Sequence, residues 1–250
     1  MENAIYYYSG TGNSYSSSVL LSVLLNDEYK CYKLLSDTYK IDADTLIFVV
    51  PTYAYGLPKF IYNLFKEIDI KANRVILLAT CGTITGHLFK QAYSLLKKRG
   101  VTLCYYNSIE CVDNYFAIFK RDSIEDEKAK LHEQYEKVRE IAGEINNMKI
   151  SPKPNGSFFG CLVSAVFRAF LPIVNLAMRI NKNECTGCGL CTINCQVKAI
   201  SVKDGKAKTK LTECQNCQGC INVCPQKAIS FMRVNKKMRR YLHPDHKISR

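Results

Sequence analysis

At 250 residues, 47% hydrophobic and 23% charged, the chain has room for one or two globular domains with real cores, which excludes a disordered or fibrous protein. Its formal net charge of +13 is unevenly placed: residues 1–150 balance at 18 Lys and Arg against 18 Asp and Glu, while residues 151–250 hold 17 against 4. No basic segment followed by a long apolar run opens the sequence, which speaks against a secretory signal, and cysteines in no spacing pattern (Cys31, Cys81, Cys104, Cys111, Cys161) fit a reducing, cytoplasmic compartment.

Residues 4–8 read as a buried strand ended by Ser9 and Gly10. Residues 15–25 read as a helix with Val19, Leu20, Val23 and Leu24 on one buried face. Between them lie Ser9, Gly10, Thr11, Gly12, Asn13 and Ser14. A strand, a Gly/Ser/Thr loop and a helix make a phosphate site, because the loop and helix start present unpaired amides at a positive dipole end. The loop has no P-loop lysine, and Tyr15 stands where a dinucleotide fingerprint needs its third glycine. What is left suits a lone monophosphate. The loop resembles the Ser/Thr-x-Thr-Gly-x-Ser/Thr pattern of flavodoxins, whose cofactor is FMN.

Further strands are expected at residues 29–34, 45–50, 74–79 and 101–109, with helices at 58–68 and 86–98. Residues 35–44 are too short for more than a helical turn. The third strand runs into Pro51, Thr52, Tyr53, Ala54, Tyr55 and Gly56, where Tyr53 and Tyr55 are candidates to stack on a flat ring. The fourth runs into Thr80, Cys81, Gly82, Thr83 and, after Ile84 and Thr85, Gly86. Ligands of an open parallel sheet bind outside the carboxyl ends of its strands, so the three loops form one expected FMN site. Cys81 and His87 read as structural neighbours of the third loop. Asp113 to Phe116 form a fourth loop at the same edge, from which Asn114 or Tyr115 can close over the flavin.

Residues 122–147 read as a charged helix burying Ile124, Leu131, Tyr135, Val138 and Ile141. The Pro/Gly/Ser-rich stretch 150–157 reads as a linker. Residues 158–180 are the most apolar part of the chain. Arg168, Pro172, Asn175 and Arg179 interrupt the ~20 apolar residues that a membrane span needs. The expectation is a helix packing the two halves together, with an interfacial membrane helix, a peripheral contact, as the alternative.

Two cysteine runs follow: Cys185, Cys188, Cys191, Cys195, and Cys214, Cys217, Cys220, Cys224, the second closed by Pro225. They are copies of one unit, since Ala199-Ile200-Ser201 and Ala228-Ile229-Ser230 sit at the same place after each. Zinc is the rival, but it wants two separated pairs and has no use for a third close cysteine. The spacing resembles that of bacterial ferredoxins with two cubane 4Fe–4S clusters. That resemblance implies that Cys185, Cys188, Cys191 and Cys224 hold cluster one, and Cys214, Cys217, Cys220 and Cys195 hold cluster two. Two such clusters carry negative charge with their thiolates, which offsets part of the basic excess.

Together with the Arg-Tyr-x-His-Pro element at 240–244, these motifs resemble the flavodoxin–ferredoxin fusion proteins. The resemblance implies a doubly wound parallel α/β sheet of order 2-1-3-4-5 over residues 1–149, a linker and packing helix over 150–180, a small α+β ferredoxin unit over 181–232, and a basic tail over 233–250. Gln196 departs from the proline usual after the fourth cysteine; its added N–H near Cys195 is expected to raise that cluster's potential. The implied function is an electron-transfer oxidoreductase that relays electrons between two 4Fe–4S clusters and FMN, serving a redox partner protein or a small acceptor. The alternatives are a dedicated carrier without a substrate and, from another class, a zinc-based nucleic-acid binder using the basic half. No nucleic-acid module accompanies the basic tail, and His243 and His246 read as tail-docking residues. No catalytic acid or base stands out.

Overall fold

Runs of branched and aromatic residues between turn residues form β1 (Asn3–Tyr7), β2 (Tyr29–Lys33), β3 (Lys40–Pro51), β4 (Asp69–Cys81) and β5 (Leu103–Glu110). All neighbours are parallel, in the order β2-β1-β3-β4-β5. This is the flavodoxin-like arrangement. The structure, a computed structural model, describes residues 1–35, 37–115, 120–156 and 158–247. Phe116 of the fourth loop, Ser157 of the linker and the end of the tail lie outside the described residues.

The central strands are buried on both faces, as their continuous apolar runs require: Ile47, Phe48, Val49, Val50, Ile76 and Leu77 have no exposure. β3 and β4 start earlier than their apolar cores, in register from Lys40 opposite Asp69 to Pro51 opposite Thr80. In the added part of β3 the buried Ile41 and Ala43 alternate with exposed Lys40, Asp42 and Asp44. That period of two was masked in the sequence by its charges.

Helices cover both faces. α2 (Lys59–Glu67) and α3 (Leu88–Lys98) close one core through Ile61, Phe65, Leu88 and Leu96. α1 (Asn13–Leu24) and α4 (Ile124–Asn146) close the other through Leu21, Val138, Ile141 and Ile145. The inward face of α1 differs from the expected one. Val23 is 76% exposed and Val19 also faces out, whereas Ser14, Ser16, Ser17 and Ser18 are buried. Small side chains let α1 approach its neighbours closely, and the hydroxyls find partners: Ser18 donates to the Ser14 carbonyl at 2.8 Å, and Ser17 accepts from Gln134 of α4 at 3.0 Å. α4 starts at a capping box of Ser123 and Asp126. Ile124 is therefore exposed at the first helical residue instead of buried.

The stretch after α4 is tied down. Ser151 donates its N–H to Cys104 and bonds the backbone of Tyr106, both on β5. α5 (Phe158–Asn175) follows, then β6 (Met178–Ile180), α6 (Leu190–Asn194), β7 (Ile200–Lys203), β8 (Lys206–Thr209), α7 (Gly219–Val223) and β9 (Ile229–Phe231). β6 pairs with β9 and β7 with β8, both antiparallel. A third core around Ile200, Ile221, Ile229 and Phe231 also takes in Val112 and, from α4, Leu131. The two parts of the chain share this core.

Candidate cofactor sites

A cavity of about 280 Å³ opens where β1, β3, β4 and β5 end. Ser9, Gly10, Thr11, Asn13 and Ser14 line it from the first loop, and Pro51 to Tyr55 from the second. Thr80, Cys81 and Gly82 line it from the third, and Val112 to Tyr115 from the fourth. Gly12, Gly56, Thr83 and Gly86 of the expected set do not line it. Gly12 backs onto the tail, where a Cβ would meet that of His243 at 2.7 Å, and Gly86 sits under Tyr55. The loops are bonded to one another. Ser14 and Thr80 share a hydroxyl bond of 2.8 Å, Asn114 donates to Thr11 at 2.6 Å, and Asn13 donates to the Val112 carbonyl at 2.9 Å. The second loop is a tight turn: Tyr53 and Gly56 exchange backbone bonds, and Ala54 and Tyr55 both have positive φ, 44° and 62°. Non-glycine residues there store local strain at the cavity mouth. Tyr55 is half exposed, while burial, followed by the nearby Cys217 and Cys214, raises the Tyr53 phenol well above its ordinary range.

The cysteines gather around two further hollows. Cys185, Cys188, Cys191 and Cys224 line one, and Cys195, Cys214, Cys217 and Cys220 line the other. Each hollow thus draws three sulfurs from one run and the fourth from the other run. Among the described residues no three His, Cys, Asp or Glu side chains converge as a single-ion site, so the quartets surround volumes instead of points. The repeat extends to the backbone. Ala199 donates its N–H to Cys195 Sγ at 3.2 Å, and Ala228 donates to Cys224 Sγ at 3.3 Å. Gly187 and Gly189 have φ of 70° and 81°, and their counterparts Asn216 and Gln218 hold the same left-handed conformation at 55° and 61°. The second copy carries side chains where the first has glycine, and Gln218 Nε2 donates to Asn216 Oδ1 at 2.5 Å.

Of these two, Asn216 faces the large cavity and Gln218 the second cysteine hollow. Gln215, Asn216 and Cys217 form the cavity's wall opposite the sheet, with Phe167 of α5 beside them. Cys217 lines both this cavity and the second cysteine hollow, and Gly10 is what permits the approach: a Cβ on Gly10 would lie 2.8 Å from the Cys217 carbonyl oxygen and 3.2 Å from its sulfur. Gln196, buried, spans the same seam. Its Oε1 accepts from Ser9 N–H at 2.6 Å, and its Nε2 donates to the carbonyls of Tyr7 and Leu34 at 3.2 and 3.1 Å. The N–H that reaches Cys195 sulfur is that of Ala199, so Gln196 acts through its side chain and not through the backbone donor expected from the sequence.

Several buried polar atoms have no partner within the chain. Thr52 Oγ1 and Asn216 Nδ2, both on cavity-lining residues, are buried without a partner. Arg240 has Nε and Nη1 buried without a partner, and the guanidinium interacts electrostatically with Cys224. A cluster's sulfur would supply the acceptors that these donors lack. Burial pushes the Cys217 thiol up to about 12. Such a thiol becomes a thiolate only against a strong positive charge, as on iron.

Residues 174–239 match the family of 4Fe–4S dicluster domains. The chain is 34% identical over 56 residues to a ferredoxin-like protein in the nif region of Sinorhizobium fredii; the match covers 20% of this chain and 88% of that relative. With the parallel sheet order already in hand, this decides the family. The chain is a flavodoxin–ferredoxin fusion. Among solved structures it is similar to Flavodoxin 2 from Bacillus cereus, at 18% identity and a TM-score of 0.38, over 59% of this chain and 99% of that one. It is also similar to rubredoxin oxygen:oxidoreductase from Desulfovibrio gigas, at 14% identity and a TM-score of 0.35, over 58% of this chain. The fusion spans 35% of that protein's length. An iron–sulfur unit joined to a flavodoxin-like fold gives the fusion an electron-transfer role.

The tail of the fusion docks as expected for its histidines. His243 N–H donates to the Thr11 carbonyl at 2.8 Å, Tyr241 donates to Asn13 at 2.8 Å, and His246 bonds Asn194 at 2.9 Å.

Proposed function

We propose that the fusion holds FMN in the cavity at the sheet's carboxyl edge and two 4Fe–4S clusters in the two cysteine-lined hollows, and that cluster two is the flavin's neighbour. When bound, the clusters would supply single-electron exchange and the flavin exchange of one or two electrons. Ser9, Thr11 and Ser14 would hold the flavin phosphate with the amides of the first loop. Tyr53, Tyr115 and Phe167 would flank the ring, and Thr52 and Asn216 would offer it hydrogen bonds. Cys185, Cys188, Cys191 and Cys224 would hold cluster one beside solvent, since Cys188 is exposed. Cys214, Cys217, Cys220 and Cys195 would hold cluster two in the interior. Cluster one would meet the redox partner and the flavin a small acceptor.

The observation that carries this reading is the shared residue Cys217, in the wall of the cavity and of the second hollow alike. The test is reduction of anaerobically purified protein with dithionite while the flavin and cluster bands are followed separately. Wild-type flavin is expected to be reduced rapidly, and Cys188→Ser, which removes the entry cluster, to slow it. Equal rates in the two proteins would contradict the order proposed. A small acceptor consumed in turnover distinguishes a reductase from a carrier.

A further inference from the structure

We infer that α5 binds the surface of an anionic lipid bilayer. The helix is laid on the protein with its polarity inverted. Gly160, Ser164, Leu171 and Asn175 are its buried residues. Ser164 accepts from Gln91 at 3.1 Å, and Asn175 donates to the carbonyls of Leu211 and Cys214 at 2.9 and 2.8 Å. The opposite stripe is apolar and faces outward: Phe158 is 85% exposed, Phe159 70% and Ile173 61%, with Leu162, Val166, Phe170 and Leu176 also exposed. Spacings of three and four residues make one continuous face along the helix. A patch of this size on a protein surface marks an interaction site.

The charges around the stripe choose the occupant. Between Glu144 and Glu184 the sequence has no acidic residue and five basic ones, Lys149, Lys153, Arg168, Arg179 and Lys182. Lys153 stands exposed just before the helix, and Arg179 and Lys182 just after it; Lys149, also exposed, is paired with Glu144. An apolar stripe with cations at both ends is the pattern of a helix lying in the headgroup layer, where long basic side chains reach phosphates. A second copy of the chain suits the stripe poorly. An isologous contact would bring the same cations together with no acid in the segment to pair them. Spanning the bilayer is also excluded by the inner face, whose Ser164 and Asn175 are bonded to the rest of the protein. The helix, 18 residues and about 27 Å long, is held flat. Because Phe167 of the same helix lines the flavin-sized cavity, docking would set that cavity beside the lipid.

The test is co-sedimentation of the full, cofactor-loaded chain with vesicles of phosphatidylcholine alone or mixed with phosphatidylglycerol. Binding is expected on the mixed vesicles and should fall roughly tenfold on phosphatidylcholine alone. It should fall as far in Lys153→Glu/Lys182→Glu, and also in Leu162→Ser/Phe170→Ser/Ile173→Ser, with the visible spectrum unchanged. The charge variant keeps the test open if the apolar variant folds poorly. Absence of binding to the mixed vesicles would overturn the inference, as would binding indifferent to the charge variant. So would a wild-type dimer in solution that the apolar variant turns into a monomer.

Discussion

The N–H of Ser9 donates to Oε1 of Gln196 at 2.6 Å. Ser9 opens the first cavity loop and Gln196 follows Cys195, a proposed ligand of cluster two, so one hydrogen bond ties the two proposed cofactor sites. Gln196 also caps the carbonyls of Tyr7 and Leu34. Gln196→Leu would leave the Ser9 N–H and the Leu34 carbonyl without this amide, while the Tyr7 carbonyl keeps the Leu34 N–H at 2.8 Å. The expected cost is about 1–3 kcal/mol for such groups, read as a lower urea midpoint. Flavin retention through gel filtration should fall with it. A variant as stable as wild type, with flavin kept, would show the seam does not depend on this amide.

Gly10 is the second point of contact. Gly10→Ala would force a Cβ against the Cys217 backbone and sulfur, at 2.8 and 3.2 Å. The variant should lose iron and flavin together. Gly143→Ala is the control: it meets nothing within 4 Å in the interior of α4 and should gain about 0.5–1 kcal/mol of stability.

Arg240 bears on cluster one. A positive guanidinium beside Cys224 favours the more negative, reduced state of a cluster and so raises its potential. Arg240→Gln should therefore lower one midpoint potential in an EPR-monitored redox titration and leave the other nearly fixed. Two unchanged potentials would remove Arg240 from the account.

The docked tail carries a pH dependence. Burial lowers the His243 pKa to about 4, against the partial opposition of Asp245 and with further lowering by His246. The unfolded chain takes up this proton near pH 6.5, while the folded one resists it until about pH 4. Stability should therefore be full above pH 6.5 and fall as pH drops towards 4, by about 2–4 kcal/mol in total. Urea midpoints measured from neutral to mildly acid pH should show this slope, and His243→Gln should flatten it. A parallel slope in the variant would place the titration elsewhere.

Much of this architecture was written locally. Cysteines three residues apart must sit on one tight loop whatever surrounds them, so the runs could be read directly. The strands followed from apolar runs and the loops after them, and their order from the resemblance to flavodoxins. What escaped the sequence depends on approach between distant segments. Phe167, Gln215, Asn216 and Cys217 join the cavity wall only because the two parts pack together, and no spacing announces it. The buried serines of α1 and the outward apolar stripe of α5 break the usual rule of polarity. In α1, hydroxyls bonded within the protein make small polar residues good packing surface. In α5, hydrogen bonds to Gln91, Leu211 and Cys214 hold the polar side inward.

The shared wall at Cys217 is tested most directly by iron and flavin content of two anaerobically purified variants. Wild type should hold about eight iron atoms and one flavin per chain. Cys188→Ser and Cys217→Ser should each lose about half the iron, but only Cys217→Ser should also lose flavin. Flavin retained equally in both variants, or a wild-type protein carrying zinc in place of iron, would contradict the account.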